Sequence, residues 1–235
     1  DNTCWPEVML PQLRDSYDLI LLDLPGHGQD PYVEDNRNSL KQLDEWITFT
    51  KQLLPSQYHL MGWSLGAQIA IRMARNDRCI QRLILMAVNP KFMSSDEWSA
   101  AMSPELLAKF EQGYETQTSK TLRRFASLQA QGSTHSKFLT AQMIQLMPVQ
   151  PEKIFGLKLL QELDERTHLC QLSQPCFIEL AQADELVPSD WVNQLLLPNN
   201  IQIHTVAGGH GYLFEPNGIN KTMAKFIDVG VGNNA

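Results

Sequence analysis

Gly62-Trp63-Ser64-Leu65-Gly66 is the stretch on which the predicted fold and chemistry of this chain depend. The apolar-rich residues 57–61 before it are typical of a strand, and residues 67–75 after it carry apolar side chains at helical spacing. A serine on the tight turn between a strand and a helix exposes its hydroxyl, and flanking glycines remove Cβ atoms that would obstruct the crossing. The helix start directs the N–H of Leu65 toward an oxyanion formed there. The pentapeptide therefore predicts a nucleophile, Ser64, and half of an oxyanion hole.

The general base that such a serine needs has two candidates among the six histidines. His27 lies in a loop of glycines and proline after Leu19–Leu22, an apolar run that predicts a buried parallel strand. His210 lies in a glycine loop after the alternating run Ile201–Val206, which predicts a late strand. Loops at the carboxyl ends of parallel strands are where α/β sheets bind ligands. We favour His210, because no carboxylate follows His27 at a spacing that would orient it, and His27 remains the rival.

The acid that would orient the histidine is sought in the loop after the predicted strand Cys176–Leu180. Asp184 lies in that loop and is followed by Leu-Val-Pro, which re-enters the fold. Glu185, adjacent to it, and Glu179, inside the strand, are the alternatives. The favoured residues follow one another in the order nucleophile, acid and histidine: Ser64, Asp184 and His210.

The order of strand-like and helix-like segments predicts an α/β fold with a mostly parallel sheet covered by helices on both faces. A crossover helix is expected over Ser39–Leu54, with Ser39 and Gln42 as a capping box and Pro55 closing it. Further helices are expected from Val187 to about Leu196 and from Glu215 to Asp228. Residues 92–168 contain only helix-like segments: Pro104–Gln112, Ser119–Gln129, His135–Met147 and Glu152–Leu163. We therefore predict a core formed by residues 1–91 and 169–235, with residues 92–168 inserted as an all-helical cap over Ser64.

Composition limits the classes of protein that fit. The 235 residues are 43% hydrophobic, enough for one core, and the net charge of −7 argues against nucleic acid as the main partner. The four cysteines are dispersed, which indicates neither a zinc site nor a disulfide framework and favours a reduced, cytoplasmic setting. No apolar run is long enough to span a membrane. We expect a monomer that needs no metal or organic cofactor.

These motifs resemble the α/β-hydrolase superfamily over the whole chain. In detail they resemble the pimeloyl-acyl carrier protein methyl ester esterases of biotin synthesis, the BioH type. The resemblance rests on Leu22 to Gly28, on the Gly62 to Gly66 pentapeptide, on Asp96-Glu97-Trp98, on Arg124-Phe125 with Leu128-Gln129 and Gly132, and on Asp184-x-Leu-Val-Pro. The superfamily motifs are specific to a fold, whereas the motifs between residues 92 and 168 carry the inference about substrate.

The resemblance implies a serine esterase that removes the methyl group from a pimeloyl chain on acyl carrier protein. Ser64 would be the nucleophile, Asp184 the acid and His210 the base, with the Leu65 N–H in the oxyanion hole. The residues expected to line the acyl channel are Trp63, Phe125, Ala126, Ser127, Leu128 and Gln129. The residues expected to meet the carrier are Lys120, Arg123 and Arg124, whereas a second basic pair is poorly matched near His135 and Lys137.

The basic residues of the predicted cap are unusual in an acidic chain. Residues 116–150 hold four Lys or Arg and no Asp or Glu. One interpretation is a docking face for an acidic carrier, and the other is an ordinary solvated helix face.

The resemblance also implies two strands and a His-Gly loop, roughly 20 to 30 residues, upstream of Asp1. That loop would supply the second oxyanion donor, and losing one donor typically lowers turnover by about 10² to 10³. Two alternative functions stay open. A general short-chain carboxylesterase would keep the triad without using the basic face, and a non-catalytic binding protein would keep only the scaffold.

Overall fold

A computed structural model of the chain describes residues 4–25, 27–28, 38–147, 154–215 and 219–228. Its centre is a parallel sheet with the strand order β1-β2-β3-β4: Tyr58–Trp63 (β1), Ile80–Met86 (β2), Cys176–Ala181 (β3) and Ile201–Val206 (β4). The α-helices are Leu10–Arg14 (α1), Ser39–Leu53 (α2), Leu65–Ala74 (α3), Pro104–Gln129 (α4), Ser136–Leu146 (α5), Ile154–Glu162 (α6), Arg166–Cys170 (α7) and Lys221–Ile227 (α8). The predicted α/β class with a parallel sheet is confirmed.

The two faces of the sheet are covered by different sets of helices. Side chains alternate along β2, so Leu85 packs with residues of α2, α3 and α7, whereas Ile84 packs with residues of α1, α5 and α8. All six residues of β3 are buried. A strand buried on both faces reads as a continuous apolar run, which is why the inner strands were recognisable in the sequence.

The helical insertion between β2 and β3 comprises α4 to α7, and its described residues form isolated bridges but no strand. The backbone of α4 leaves helical geometry at Gln117, with φ of −144° and ψ of 52°. The rings of Phe110 and Phe125 nevertheless lie 5.3 Å apart, although 15 residues of straight helix would separate them by about 22 Å. The helix therefore folds back on itself at Gln117 into two arms, which match the two separate helices predicted for this stretch.

An ion-pair network around the buried Glu165 joins the end of the insertion to the core. Glu165 is fully buried, and its carboxylate lies 2.8 Å from Arg72 on α3 and also contacts His168. Arg72 in turn forms two hydrogen bonds with Asp44 on α2, at 2.7 and 2.9 Å. The hydrogen bond to Asp44, followed by that to Glu165, raises the pKa of Arg72. Three helices are thus held by one guanidinium that stays charged.

The prediction of a strand at Leu19–Leu22 is wrong. Residues 17–24 form no regular structure, and within the described residues they make no backbone hydrogen bond to β1. A cavity of about 740 Å³ is lined both by Leu19–Leu22 and by residues of β1. Strands pair only when their backbones come within about 4.8 Å and exchange hydrogen bonds, and no such bond joins these two segments among the described residues. An apolar run without a partner remains an irregular segment.

The outer edge of β1 consequently faces this cavity. The N–H groups of Tyr58 and Ser64 point toward β2 and donate to the carbonyls of Cys79 and Met86. Successive residues of a strand direct their backbone groups to opposite sides, so those of His59, Met61 and Trp63 point away from β2.

The imidazole of His59 lies at this edge, and its Nδ1 is buried without a hydrogen-bond partner among the described residues. Burial, and next the charge of Arg82, lower the pKa of this imidazole.

Several predicted helix ends need correction. The cap of α2 is Asn38, whose side chain accepts from the Lys41 N–H, whereas Ser39 donates to Glu162. The helix expected from Val187 to Leu196 is a 3₁₀ helix, Ser189–Gln194.

The ends of α6 and α8 also differ from expectation. Residues 152 and 153, the predicted start of α6, lie outside the described residues. The final helix, expected from Glu215, begins at Lys221, because Asn220 accepts from the N–H groups of Thr222 and Met223 and caps it there. A short 3₁₀ helix, Tyr212–Phe214, precedes it.

Candidate active site

Ser64 sits between β1 and α3 in a conformation that few non-glycine residues adopt, with φ of 55° and ψ of −121°. Its N–H donates to the Met86 carbonyl at 2.9 Å, and its own carbonyl accepts from Ala67 at 2.9 Å. These bonds hold a strained backbone in place, as is common at functional sites. Leu65 is the first residue of α3, so its N–H has no partner within the helix and is available to an oxyanion at Ser64.

The two glycines of the pentapeptide differ in what they make possible. A Cβ on Gly62 would lie 2.5 Å from the carbonyl oxygen of Gly66 and 2.7 Å from the Ala67 backbone, so glycine is required for the crossing of β1 and α3. A Cβ on Gly66 would have no described atom within 4 Å. The prediction that both glycines clear the crossing therefore holds for Gly62 and is wrong for Gly66, which borders the cavity beside β1.

We predict opposite outcomes for alanine at these two glycines. Gly62→Ala should lower the free energy of unfolding by about 2 to 3 kcal/mol, because its Cβ meets backbone that cannot move aside. Gly66→Ala should change it by less than about 1 kcal/mol, since alanine suits a helix better than glycine and the space is open. Urea unfolding followed by circular dichroism measures both values. Equal destabilisation by the two variants would contradict this account of the turn.

The structure brings Ser64, Asp184 and His210 together. Nε2 of His210 lies 3.0 Å from Oγ of Ser64, and Nδ1 of His210 lies 2.8 Å from Oδ2 of Asp184. The other carboxylate oxygen of Asp184 accepts from the N–H groups of Leu186 and Val187, at 2.9 and 2.8 Å. Asp184 and His210 are 6% and 3% exposed. A buried carboxylate thus orients an imidazole whose other nitrogen reaches a serine hydroxyl, the arrangement needed for nucleophilic acyl transfer.

The rival residues occupy other places. Nδ1 of His27 lies 3.0 Å from the Pro25 carbonyl oxygen, and its ring packs near Gly156 on α6. Glu185 is exposed. Glu179 is buried in β3, where its carboxylate contacts His204 and Asn220. None of these side chains forms a contact with Ser64 or His210 among the described interactions.

Aromatic side chains support the loop that carries His210. Trp63 donates from Nε1 to the His210 carbonyl at 3.2 Å, and its ring lies 5.3 Å from the imidazole and 5.4 Å from Phe214. Burial, and next the charge of Glu179, raise the pKa of the neighbouring Tyr212, so its phenol stays neutral. The sequence suggested Trp63 only as a lining residue. Its support of His210 depends on a long-range contact that no local pattern reveals.

The five residues Phe125 to Gln129 do not share one environment. Phe125 and Leu128 pack in an apolar cluster with Leu186 and Val187, which follow Asp184 by two and three positions in the chain. Ala126 is buried in the core on the other side, Gln129 is 4% exposed, and Ser127 is exposed. A helix turns 100° per residue, so five consecutive residues cannot all line one channel. Phe125 and Leu128 are the two that lie beside the Asp184 loop.

The basic residues predicted to meet a carrier, Lys120, Arg123 and Arg124, are exposed on the second arm of α4. Nζ of Lys120 donates to Gln117 at the bend, at 3.2 Å.

Among the described residues, no group of three or more His, Cys, Asp or Glu side chains could hold a metal ion. No helix in the described part of the chain is long and apolar enough to cross a membrane.

Comparison with known proteins places this geometry in a family. A family model described as the alpha/beta hydrolase fold matches residues 2–216. The pimeloyl-[acyl-carrier protein] methyl ester esterase of Aeromonas salmonicida (strain A449) is 37% identical over 183 residues, which cover 75% of this chain and 70% of that protein. The chain belongs to the α/β-hydrolase family, among the esterases of BioH type. The resemblance drawn from the motifs is thereby confirmed.

Two further comparisons set the limits of this assignment. The biotin biosynthesis bifunctional protein BioHC of Cellvibrio japonicus (strain Ueda107) is 34% identical over 212 residues, 88% of this chain but 41% of that protein. The chain therefore spans less than half of that relative. A hydrolase from Oleispira antarctica, olei00960, superposes with a TM-score of 0.79 over 97% of this chain and 87% of its own, at 18% identity. That likeness concerns the fold alone.

Proposed function

We propose that this α/β-hydrolase removes the methyl group from pimeloyl-acyl carrier protein methyl ester, in the manner that the names of its relatives describe. The observation that carries the catalytic part is the chain of hydrogen bonds from Asp184 through His210 to Ser64. The relatives' names support the substrate class.

In the proposed reaction, Nε2 of His210 takes the hydroxyl proton as Oγ of Ser64 attacks the ester carbonyl carbon. The buried carboxylate of Asp184 stabilises the imidazolium that forms, and the Leu65 N–H donates to the oxyanion. The tetrahedral intermediate collapses to the acyl-enzyme, and methoxide leaves with the proton from His210 as methanol. Water, deprotonated by the same imidazole, then attacks the acyl-enzyme and releases the free carboxylate.

The apolar cluster beside the Asp184 loop supports an acyl substrate. Phe125 and Leu128 of α4 face Leu186 and Val187 there, and a methylene chain buried against such side chains gains roughly 0.8 kcal/mol per CH₂. The exposed basic residues on the same arm of α4 support an acidic carrier, because the chain as a whole is acidic and would otherwise repel it.

Reversing two of these charges tests the carrier. Lys120 and Arg124 are exposed and one helical turn apart, and we predict that changing both to Glu raises KM for the carrier-bound ester at least tenfold, about 1.4 kcal/mol. Hydrolysis of a small soluble ester should change less than about twofold, since the triad is untouched. Steady-state kinetics with both substrates measures the difference. Added salt should weaken the wild-type reaction with the carrier substrate only.

The matched control changes Arg75 and Arg78 to Glu. Both side chains are also exposed, but they lie at and beyond the end of α3. It changes the net charge equally, so a change in KM confined to the Lys120 and Arg124 variant identifies a local docking face. If both variants raise KM alike, or if the small ester responds as strongly as the carrier substrate, the general carboxylesterase replaces this proposal.

A further inference from the structure

Three segments of backbone meet directly behind the candidate base. They are residues 129–132 at the end of α4, which we term the 129–132 turn, residues 183–184 after β3, and residues 208–211 after β4. The Gly211 N–H donates to the Gln129 carbonyl at 2.8 Å, and the Ala183 N–H donates to the Gly208 carbonyl at 3.0 Å. The helical insertion is therefore hydrogen-bonded to the loop of His210, which is bonded in turn to the loop of Asp184.

The contact is too close for any side chain between the backbones. A Cβ on Gly209 would lie 1.7 Å from the carbonyl oxygen of Gln131 and 3.5 Å from that of Ala183. A Cβ on Gly132, whose φ is 83°, would lie 2.6 Å from the Cβ of Ala183. Glycine at both positions lets the 129–132 turn rest against the loops of both candidate catalytic residues.

We propose that the 129–132 turn is a positioning element for the catalytic acid and base, an inference that rests on the function proposed above. The turn acts through its backbone. The Gln129 carbonyl accepts a hydrogen bond from Gly211, the residue after His210, and the Gln131 carbonyl limits how closely Gly209 can approach. A displacement of about 1 Å in a reacting group can lower turnover about 100-fold. The same arm carries Phe125 and Leu128, so the element that contacts an acyl chain also sets the position of the imidazole.

Gly209→Ala tests this role, with Gly113→Ala as the control. Gly113 also lies in a tight contact of α4, because a Cβ added there would lie 2.7 Å from Oγ1 of Thr121. That contact joins the two arms of α4 and is remote in sequence from the 129–132 turn. We expect Gly209→Ala to lower kcat for a small ester about 100-fold with KM within about twofold. Gly113→Ala should leave both within about twofold.

A spectroscopic measurement separates positioning from general damage. The proton shared by Asp184 and His210 should give a low-field NMR signal in wild type and Gly113→Ala, and the signal should shift or vanish in Gly209→Ala while circular dichroism stays unchanged. If Gly209→Ala does not fold, Gly211→Ala replaces it. Its Cβ would meet the flexible end of Met143 at 2.9 Å and the Gln129 carbonyl oxygen at 3.2 Å, and kcat should then fall about 10-fold.

The two proposals fail in different ways. If wild type neither hydrolyses esters nor reacts with a fluorophosphonate at Ser64, the proposed function fails and this inference falls with it. If wild type is active and the folded glycine variants keep its kcat and its low-field signal, the esterase stands and the positioning role is overturned.

Discussion

Ser64→Ala should lower kcat for a short p-nitrophenyl ester by about 10⁴-fold or more while leaving the thermal unfolding midpoint nearly unchanged. The substitution removes one oxygen, and with it the atom that attacks the carbonyl. The hydrogen bonds that fix the backbone at this position use the N–H and carbonyl of Ser64, which alanine retains. Steady-state kinetics and a thermal melt of the same preparation measure both quantities.

Covalent labelling gives an independent readout of the same prediction. A fluorophosphonate should modify the wild type once, at Ser64, and should not modify Ser64→Ala. Ser56→Ala, an exposed serine between α2 and β1, should keep both turnover and labelling. Unchanged turnover in Ser64→Ala would remove Ser64 as the nucleophile, whereas a wild type with neither turnover nor labelling would favour the binding protein on a hydrolase scaffold.

His210→Ala should lower kcat by a similar factor, about 10⁴, whereas His27→Ala should change it less than about threefold. The His210 imidazole contacts Oγ of Ser64, at 3.0 Å, and the buried carboxylate of Asp184 orients it. His27 instead has its Nδ1 beside the Pro25 carbonyl. The ratio of kcat in the two variants is the quantity to measure.

Each histidine variant controls for the other, since both remove an imidazole from a loop. A large loss in His27→Ala together with a small loss in His210→Ala would mean that the base has been misplaced. A large loss in both would be judged by circular dichroism: if His27→Ala keeps its fold and still loses 10⁴-fold, the proposed role of His210 as sole base is wrong.

The sequence was informative wherever a local signal matched a local cause. The inner strands are buried on both faces, so their apolar runs were visible, and Ser64, Asp184 and His210 each follow a strand in a short loop. Parallel strands bring such loops to one edge of the sheet, and the hydrogen bonds among the three side chains follow from that topology.

The sequence misled wherever the outcome depended on distant partners. Leu19–Leu22 has the composition of a strand, but pairing needs a second backbone at hydrogen-bonding distance, and composition does not report on it. Gly66 fits the motif as well as Gly62 does, yet only Gly62 faces crowded backbone. The support that Trp63 and the 129–132 turn give to the His210 loop likewise joins residues more than 70 positions apart.

The apolar cavity beside β1 has a consequence for handling the protein. Backbone groups of His59, Met61 and Trp63 point toward an apolar cavity and pair with no strand in the described part of the chain. Apolar surface of this kind favours association between molecules wherever it becomes accessible, and that tendency grows as concentration rises. The net charge of −7 opposes such association through mutual repulsion. Because salt screens that repulsion, colloidal stability should be greatest at low ionic strength and neutral pH.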